Sequence, residues 1–69
     1  MQEIKLRTEF IKLGQALKSA GLVENGGCAK DVILNGEVRV NGNTELQRGK
    51  KLYDGDIVEF EGEQIRICR

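Results

Sequence analysis

The residues best equipped for chemistry in this chain are its charged side chains, 11 Lys/Arg and 11 Asp/Glu. There is no histidine, and Cys28 and Cys68 do not form a C-x-x-C pair, so a zinc site has no adequate ligand set. Residues 1–51 contain nine Lys/Arg and six Asp/Glu, whereas residues 52–69 contain two Lys/Arg and five Asp/Glu. The zero net charge therefore conceals a basic part of the chain, and we predict a basic surface patch.

The sequence does not favour an enzyme. Its 69 residues predict a single domain over residues 1–69, and a domain of this size buries only a limited core. Cys28 lies near the start of a predicted helix, but neither a histidine nor an acid–base pair accompanies it. Asp54 and Asp56 flank a glycine, and this fragment predicts a turn because the remaining calcium ligands are missing. We therefore expect a non-catalytic protein without metal or cofactor.

The cellular location is predicted from the lengths and flanking residues of the apolar segments. No apolar run is long enough to cross a membrane, and no stretch has the pattern of a secretory signal. With two cysteines and no sign of export, reduced thiols are the expected state. We predict a cytoplasmic protein that does not associate with membranes and works as a monomer.

Two helices are expected in the first half of the chain. Residues 9–21 place Phe10, Leu13 and Leu17 at helical spacing, with Thr8 as the expected N-cap. Residues 28–35 carry a second apolar stripe, and Asn25 is suited to cap that helix.

Short strands are expected elsewhere, because apolar residues alternate over residues 2–7, 38–40, 57–60 and 65–67. Turn dipeptides separate the later segments: Asn41-Gly42, Arg48-Gly49, Asp54-Gly55 and Glu61-Gly62. The pattern predicts an α+β domain in the order β-α-α-β-β-β-β, with two helices packed on a small, mostly antiparallel sheet.

Several of these residues stand at the spacing of a known pattern. The pattern begins with Arg-Leu-Asp and a later leucine, followed by Gly-Leu. A helix start and a glycine come next, then two alternating valines with Asn-Gly. The pattern ends with Gly-Asp before a strand. The matching positions are Lys12-Leu13-Gly14, Leu17, Gly21-Leu22, Asn25-Gly26, Ala29, Val32-Ile33, Gly36, Val38, Val40-Asn41-Gly42 and Gly55-Asp56. Over residues 10–60 the chain resembles the small RNA-binding domain named after ribosomal small-subunit protein four, in its stand-alone YaaA/YbcJ-like branch. The resemblance implies an alpha-L-type RNA-binding motif, with structured ribosomal RNA as partner.

The chain departs from the family pattern at three positions that bear on RNA contact. Lys12 replaces an arginine, Gly14 an aspartate, and Gly26 the arginine most readily assigned to a phosphate. Gly26 and Gly27 would let a phosphate approach the amides of a helix N-terminus closely. The resemblance and the charges together predict RNA contacts from residues of both helices and the following β segments: Lys12, Gln15, Asn25, Gly26, Gly27, Lys30, Arg39, Arg48, Lys50 and Lys51.

Simpler interpretations of the same residues remain open. Lys12 and Lys18 could belong to the solvated face of a helix, and residues 48–51 could merely solubilise a loop. Arg39 could form a surface ion pair with Glu45 across the hairpin.

Aromatic residues are few, and they bear on the kind of RNA expected. Phe10 and Phe60 are at core-type positions, so no aromatic platform for stacking bases is expected. Folded RNA, recognised through shape and backbone, is therefore the predicted partner. The alternative function is a protein-interaction adaptor that binds ribosomal proteins or an RNA-processing complex.

Overall fold

The fold is built from seven short strands and two helices. The computed structural model describes residues 1–69. The elements are β1 (Gln2–Lys5), β2 (Ile11–Lys12), α1 (Leu13–Ser19), α2 (Gly26–Leu34), β3 (Val38–Val40), β4 (Asn43–Thr44), β5 (Lys51–Leu52), β6 (Ile57–Phe60) and β7 (Glu63–Cys68). The predicted α+β class with two helices on a small sheet is confirmed, although β2 and one further strand after the helices were not predicted.

Five strands form the main sheet, in the spatial order β1-β7-β6-β3-β4. β1 runs parallel to β7, with Gln2 beside Ile65, and the remaining pairs are antiparallel. The turn between β3 and β4 has φ values of 52° at Asn41 and 84° at Gly42. Positive φ at both central residues is the type I′ geometry that matches the twist of the flanking strands, so the predicted hairpin turn is confirmed.

The core lies between one face of this sheet and the two helices. Leu13, Ala16 and Leu17 of α1 and Ala29 and Ile33 of α2 are buried with no exposed surface. They form one cluster with residues from the inward-facing positions of the strands: Val38, Val40, Leu52, Val58, Phe60, Ile65 and Ile67. Because side chains alternate along a strand, the other face of the sheet carries the polar residues and is open to solvent.

The start of α1 differs from the prediction. Thr8 is not the N-cap, because α1 begins at Leu13, and Lys12 at the cap position has extended φ and ψ of −78° and 147° without a side-chain cap bond. Ile11 and Lys12 instead pair antiparallel with Leu52 and Lys51 in a second, two-stranded sheet. Pairing with a segment far along the chain thus overrides the helical periodicity of residues 9–12.

Phe10 was also placed wrongly in the core. It lies before α1, is only half-buried, and its ring centroid is 6.1 Å from that of Tyr53. Phe60, by contrast, is in the core with 4% of its surface exposed. Neither helix is both long enough and apolar enough to cross a membrane.

Candidate functional site

The first turn of α1 is joined to the connection that precedes β5. The backbone N–H of Leu13 donates to the carbonyl of Lys50 at 2.8 Å, and that of Gly14 donates to the carbonyl of Arg48 at 3.1 Å. These bonds satisfy amides that would otherwise lack a partner at a helix start. They also bring the basic 48–51 segment against α1.

Gly14 lets the Arg48 side chain lie directly on α1. A Cβ added at position 14 would be 2.7 Å from Cγ of Arg48 and 3.3 Å from its Cδ. Real Cβ atoms essentially never come within 3.0 Å of such an atom, so any larger residue would force Arg48 to move. Glycine in a helix interior costs about 1 kcal/mol relative to alanine, and here it makes room for a cationic side chain.

A basic groove is formed where α1, the start of α2 and the 48–49 turn meet. It has a volume of about 330 Å³ and is lined by Lys12, Gly14, Gln15, Lys18, Gly26, Arg48 and Gly49. The lining includes three cationic residues and no carboxylate. Lys12, Lys18 and Arg48 are all solvent-exposed, and the chain's one ion pair, Arg66 Nη1 to Glu3 Oε2 at 3.9 Å, lies elsewhere. The charges of the basic groove are therefore free to attract an anion.

The start of α2 forms one wall of the basic groove. The Asn25 side chain accepts a hydrogen bond from the Cys28 N–H at 2.9 Å, which confirms the predicted N-cap. Gly26 lines the groove, and no atom lies within 4 Å of a Cβ built on it, so its backbone is openly accessible. Lys30 is one helical turn further along, on the same side of α2 as Gly26. Gly27 does not line the groove, and a Cβ there would be 3.2 Å from Oδ1 of Asn25.

Lys50 and Lys51 do not line the basic groove. They line a separate cavity of about 330 Å³ that also contains Glu45 and Asp56. Lys51 Nζ is 4.8 Å from the centroid of the Phe10 ring, a cation–π contact. Lys50 is thus joined to α1 through its carbonyl, while the Lys51 ammonium lies over an aromatic ring.

Arg39 was expected beside the helix pair, and this placement is wrong. Its neighbours Val38 and Val40 face the helices, so strand alternation turns Arg39 to the open face of the sheet. There it sits directly opposite Glu59 and Thr44. The alternative interpretation, an ion pair between Arg39 and Glu45, is wrong as well, because no ion pair involves Arg39. Glu45 Oε2 instead accepts the N–H of Gln47 at 3.2 Å.

The structure also adds residues that the sequence-based site did not include. Lys18, Gly14 and Gly49 line the basic groove with Lys12 and Gln15. A signal for Lys18 was available, because Lys12, Gln15 and Lys18 recur at intervals of three residues and so approach one another on one side of a helix. No comparable local signal indicates Gly14, whose role depends on Arg48, distant in the sequence.

Comparison with known proteins relates this architecture to others. The family model of the S4 domain matches residues 4–68. The probable ribosome maturation protein RlbA of Bacillus subtilis (strain 168) is 49% identical over 59 residues, which is 86% of this chain and 83% of that protein. The putative RNA-binding protein YbcJ of Escherichia coli (strain K12) is 33% identical over 57 residues, 83% of this chain and 81% of that protein.

A solved structure agrees with the same relationship. The solution structure of YbcJ from E. coli, described as revealing an alpha-L motif involved in RNA binding, superimposes with a TM-score of 0.76 at 30% identity, covering 100% of this chain and 89% of that one. The resemblance to the stand-alone YbcJ-like branch is thereby confirmed. From the family match, the two relatives and the shared architecture, the chain belongs to the S4 domain family.

Proposed function

We propose that this protein is a non-catalytic RNA-binding module that holds folded ribosomal RNA through its phosphates. The observation that carries the proposal is the basic groove, whose lining has three cations and no carboxylate. An electrostatic attraction of this kind supplies much of the affinity of proteins for nucleic acids.

Each wall of the basic groove contributes a different type of phosphate contact. Lys12 and Lys18 act as flexible point charges, while the guanidinium of Arg48 suits a bidentate bond to two phosphate oxygens. Gly26 adds the open N-terminal backbone of α2, where N–H groups and the helix dipole favour an anion. Lys30 extends this positive surface along α2. Arg39 is not part of the proposed interface, and Lys50 and Lys51 lie at its border.

The relatives support the choice of RNA and suggest its source. YbcJ is named as a putative RNA-binding protein, and RlbA as a probable ribosome maturation protein. We infer that this chain likewise acts on ribosomal RNA during ribosome maturation, in the cytoplasm and as a monomer. Ribosomal proteins bound near that RNA would be its neighbours.

The test is a fluorescence anisotropy titration of labelled RNA with the purified protein at several salt concentrations. Fragments of folded ribosomal RNA are compared with a simple duplex. If Lys12, Lys18, Lys30 and Arg48 each neutralise one phosphate, the logarithm of the association constant should fall with the logarithm of salt at a slope of about −2.8 to −3.6. Binding without this salt dependence would contradict the phosphate contacts, and equal binding of both RNAs would contradict the preference for folded ribosomal RNA.

Charge-removing variants locate the interface. Lys12→Gln, Lys18→Gln and Arg48→Gln should each weaken binding and reduce the steepness of the salt slope by about 0.7–0.9. Arg39→Gln is the matched control, because it removes the same charge from the opposite face of the sheet. Weakening by Arg39→Gln alone, with the three groove variants unaffected, would refute the assignment of the groove.

The adaptor hypothesis has one observation in its favour. The open face of the sheet pairs opposite charges across strands, Arg39 beside Glu59 and Arg66 beside Glu3, an arrangement better matched to a protein surface than to phosphates. If this face is the functional one, co-purification with ribosomal proteins should survive nuclease treatment and be lost in an Arg39→Glu variant.

A further inference from the structure

A second groove lies along α1 next to the basic groove. It has a volume of about 450 Å³, within the range of about 300–1,000 Å³ common for small-molecule sites. Its apolar part comes from Ile4, Leu6, Phe10 and Ile11, each half-buried. Arg7 lies among the polar residues of its lining, and no carboxylate is present. Lys5 also borders the groove, but strand alternation turns its side chain to the open face of the sheet, because Lys5 is paired with Cys68 and the neighbouring Ile4 with the buried Ile67. This apolar groove therefore combines a hydrophobic floor with positive charge.

The aromatic ring in the apolar groove is supported from outside it. Phe10 packs against Tyr53 with ring planes inclined by 53°, and Lys51 Nζ lies over the Phe10 ring. Neither Tyr53 nor Lys51 lines the groove, so they hold the ring in place without occupying the space. A half-buried aromatic ring that is supported by its neighbours is suited to stacking against another flat ring.

The two grooves are neighbours, because Gln15 of α1 lines both. A nucleic acid strand whose phosphates lie in the basic groove would therefore pass close to the apolar groove. Proteins bind unpaired bases by stacking them on aromatic rings while basic side chains hold the adjoining backbone.

We propose that the apolar groove receives an unpaired nucleobase of the bound RNA, with Phe10 as the stacking surface and Arg7 holding a flanking phosphate. The polar side chains of Gln15 and Ser19 on α1 are placed to bond the edge of that base. The proposal rests on the RNA-binding function above and narrows its substrate to folded RNA that carries an unpaired base beside a helix.

The test compares three RNA hairpins with the unchanged protein at one salt concentration: a fully paired hairpin, one with a single bulged nucleotide, and one with an abasic site at the bulge. The bulged hairpin should bind about 5- to 150-fold more tightly than the abasic one, the range expected for one base stacked on an aromatic ring. A fluorescent base analogue at the bulge should be quenched on binding. Equal affinity for the bulged and abasic hairpins, without quenching, would overturn the proposal.

Variants of the protein assign the effect to Phe10. Phe10→Leu keeps an apolar side chain but removes the aromatic ring, so it should abolish the preference for the bulged hairpin while binding of the paired hairpin persists. Leu34→Ala is the control, since Leu34 is 59% exposed and lines neither groove. A preference that persists in Phe10→Leu would overturn the assignment of the ring.

The design separates this proposal from the general one. Salt-dependent binding of all three hairpins with equal affinity would overturn the base site and leave the RNA-binding function intact. Binding of none of the hairpins, nor of ribosomal RNA, would overturn both. The comparison of bulged and abasic hairpins needs no variant, so it decides the question even where Phe10→Leu fails to fold.

Discussion

Replacing Gly14 by alanine should reveal whether a glycine is needed at this position to make room for the Arg48 side chain. Gly14 is a buried residue inside α1, and its backbone φ is not among the positive values, so alanine is compatible with the local backbone. An alanine Cβ, however, would lie 2.7 Å from Cγ of Arg48. That atom is two bonds from the Arg48 Cα, and the Arg48 carbonyl accepts the Gly14 N–H, so Cγ moves away only by a change of the χ1 angle or a shift of the backbone.

Two opposing effects set the size of the change. Glycine to alanine inside a helix stabilises by about 1 kcal/mol through intrinsic propensity. Forcing an additional carbon into an occupied space typically costs about 1–3 kcal/mol. Gly14→Ala should therefore lower the free energy of unfolding by about 0–2 kcal/mol. In an Arg48→Ala background there is no Cγ to collide with, and the same substitution should raise the free energy of unfolding by about 0.5–1 kcal/mol.

The assay is urea unfolding followed by far-ultraviolet circular dichroism for the parent, both single variants and the double variant. The coupling between positions 14 and 48 should be about 1–3 kcal/mol, with unchanged dependence on urea concentration. If Gly14→Ala stabilises the protein equally with and without the Arg48 side chain, the explanation that glycine at position 14 makes room for the Arg48 side chain is refuted.

Two further predictions concern the residues that fix the ends of local elements. Asn25→Ala removes the side chain that accepts the Cys28 N–H, so it should lower the free energy of unfolding measured in urea by about 0.5–2 kcal/mol. Asn25→Ser keeps a capping oxygen and should therefore be nearly as stable as the parent. Asn41→Ala should lower the free energy of unfolding by about 2–4 kcal/mol, because this variant loses two side-chain hydrogen bonds and places alanine at a φ of 52°. Asn41→Gly, which tolerates that φ but lacks the bonds, should fall between the parent and Asn41→Ala, and equal stability of all three would contradict this reasoning.

The elements that sequence analysis predicted correctly are those determined by neighbouring residues. The turn at Asn41-Gly42 follows from the tolerance of these two residues for positive φ, and the cap at Asn25 follows from a bond to an amide three residues away. The side-chain bonds from Asn41 to Asp56 and to the Ile57 N–H reach across the fold and could not be foreseen from the turn motif.

The start of α1 could not be predicted because it depends on a distant segment. Residues 9–12 have helical spacing, yet Ile11 and Lys12 form ladder bonds with β5, and the amides of Leu13 and Gly14 bond carbonyls of the 48–50 connection. These contacts join residues far apart in the chain, so local propensity is overruled by tertiary pairing. The same pairing keeps Phe10 out of the helix and on the surface beside Tyr53.

The candidate site shows the same division. Amino-acid types and spacing by themselves determined the family and the two-helix α+β class, because these follow from local chemistry and from a resemblance along the chain. Four of the residues predicted from sequence to contact RNA, Lys12, Gln15, Gly26 and Arg48, line the basic groove. Only the tertiary structure decided which charges share a surface. It added Lys18, turned Arg39 to the opposite face and seated Arg48 on Gly14, since charge positions in space depend on how the strands pair and which face packs against the helices.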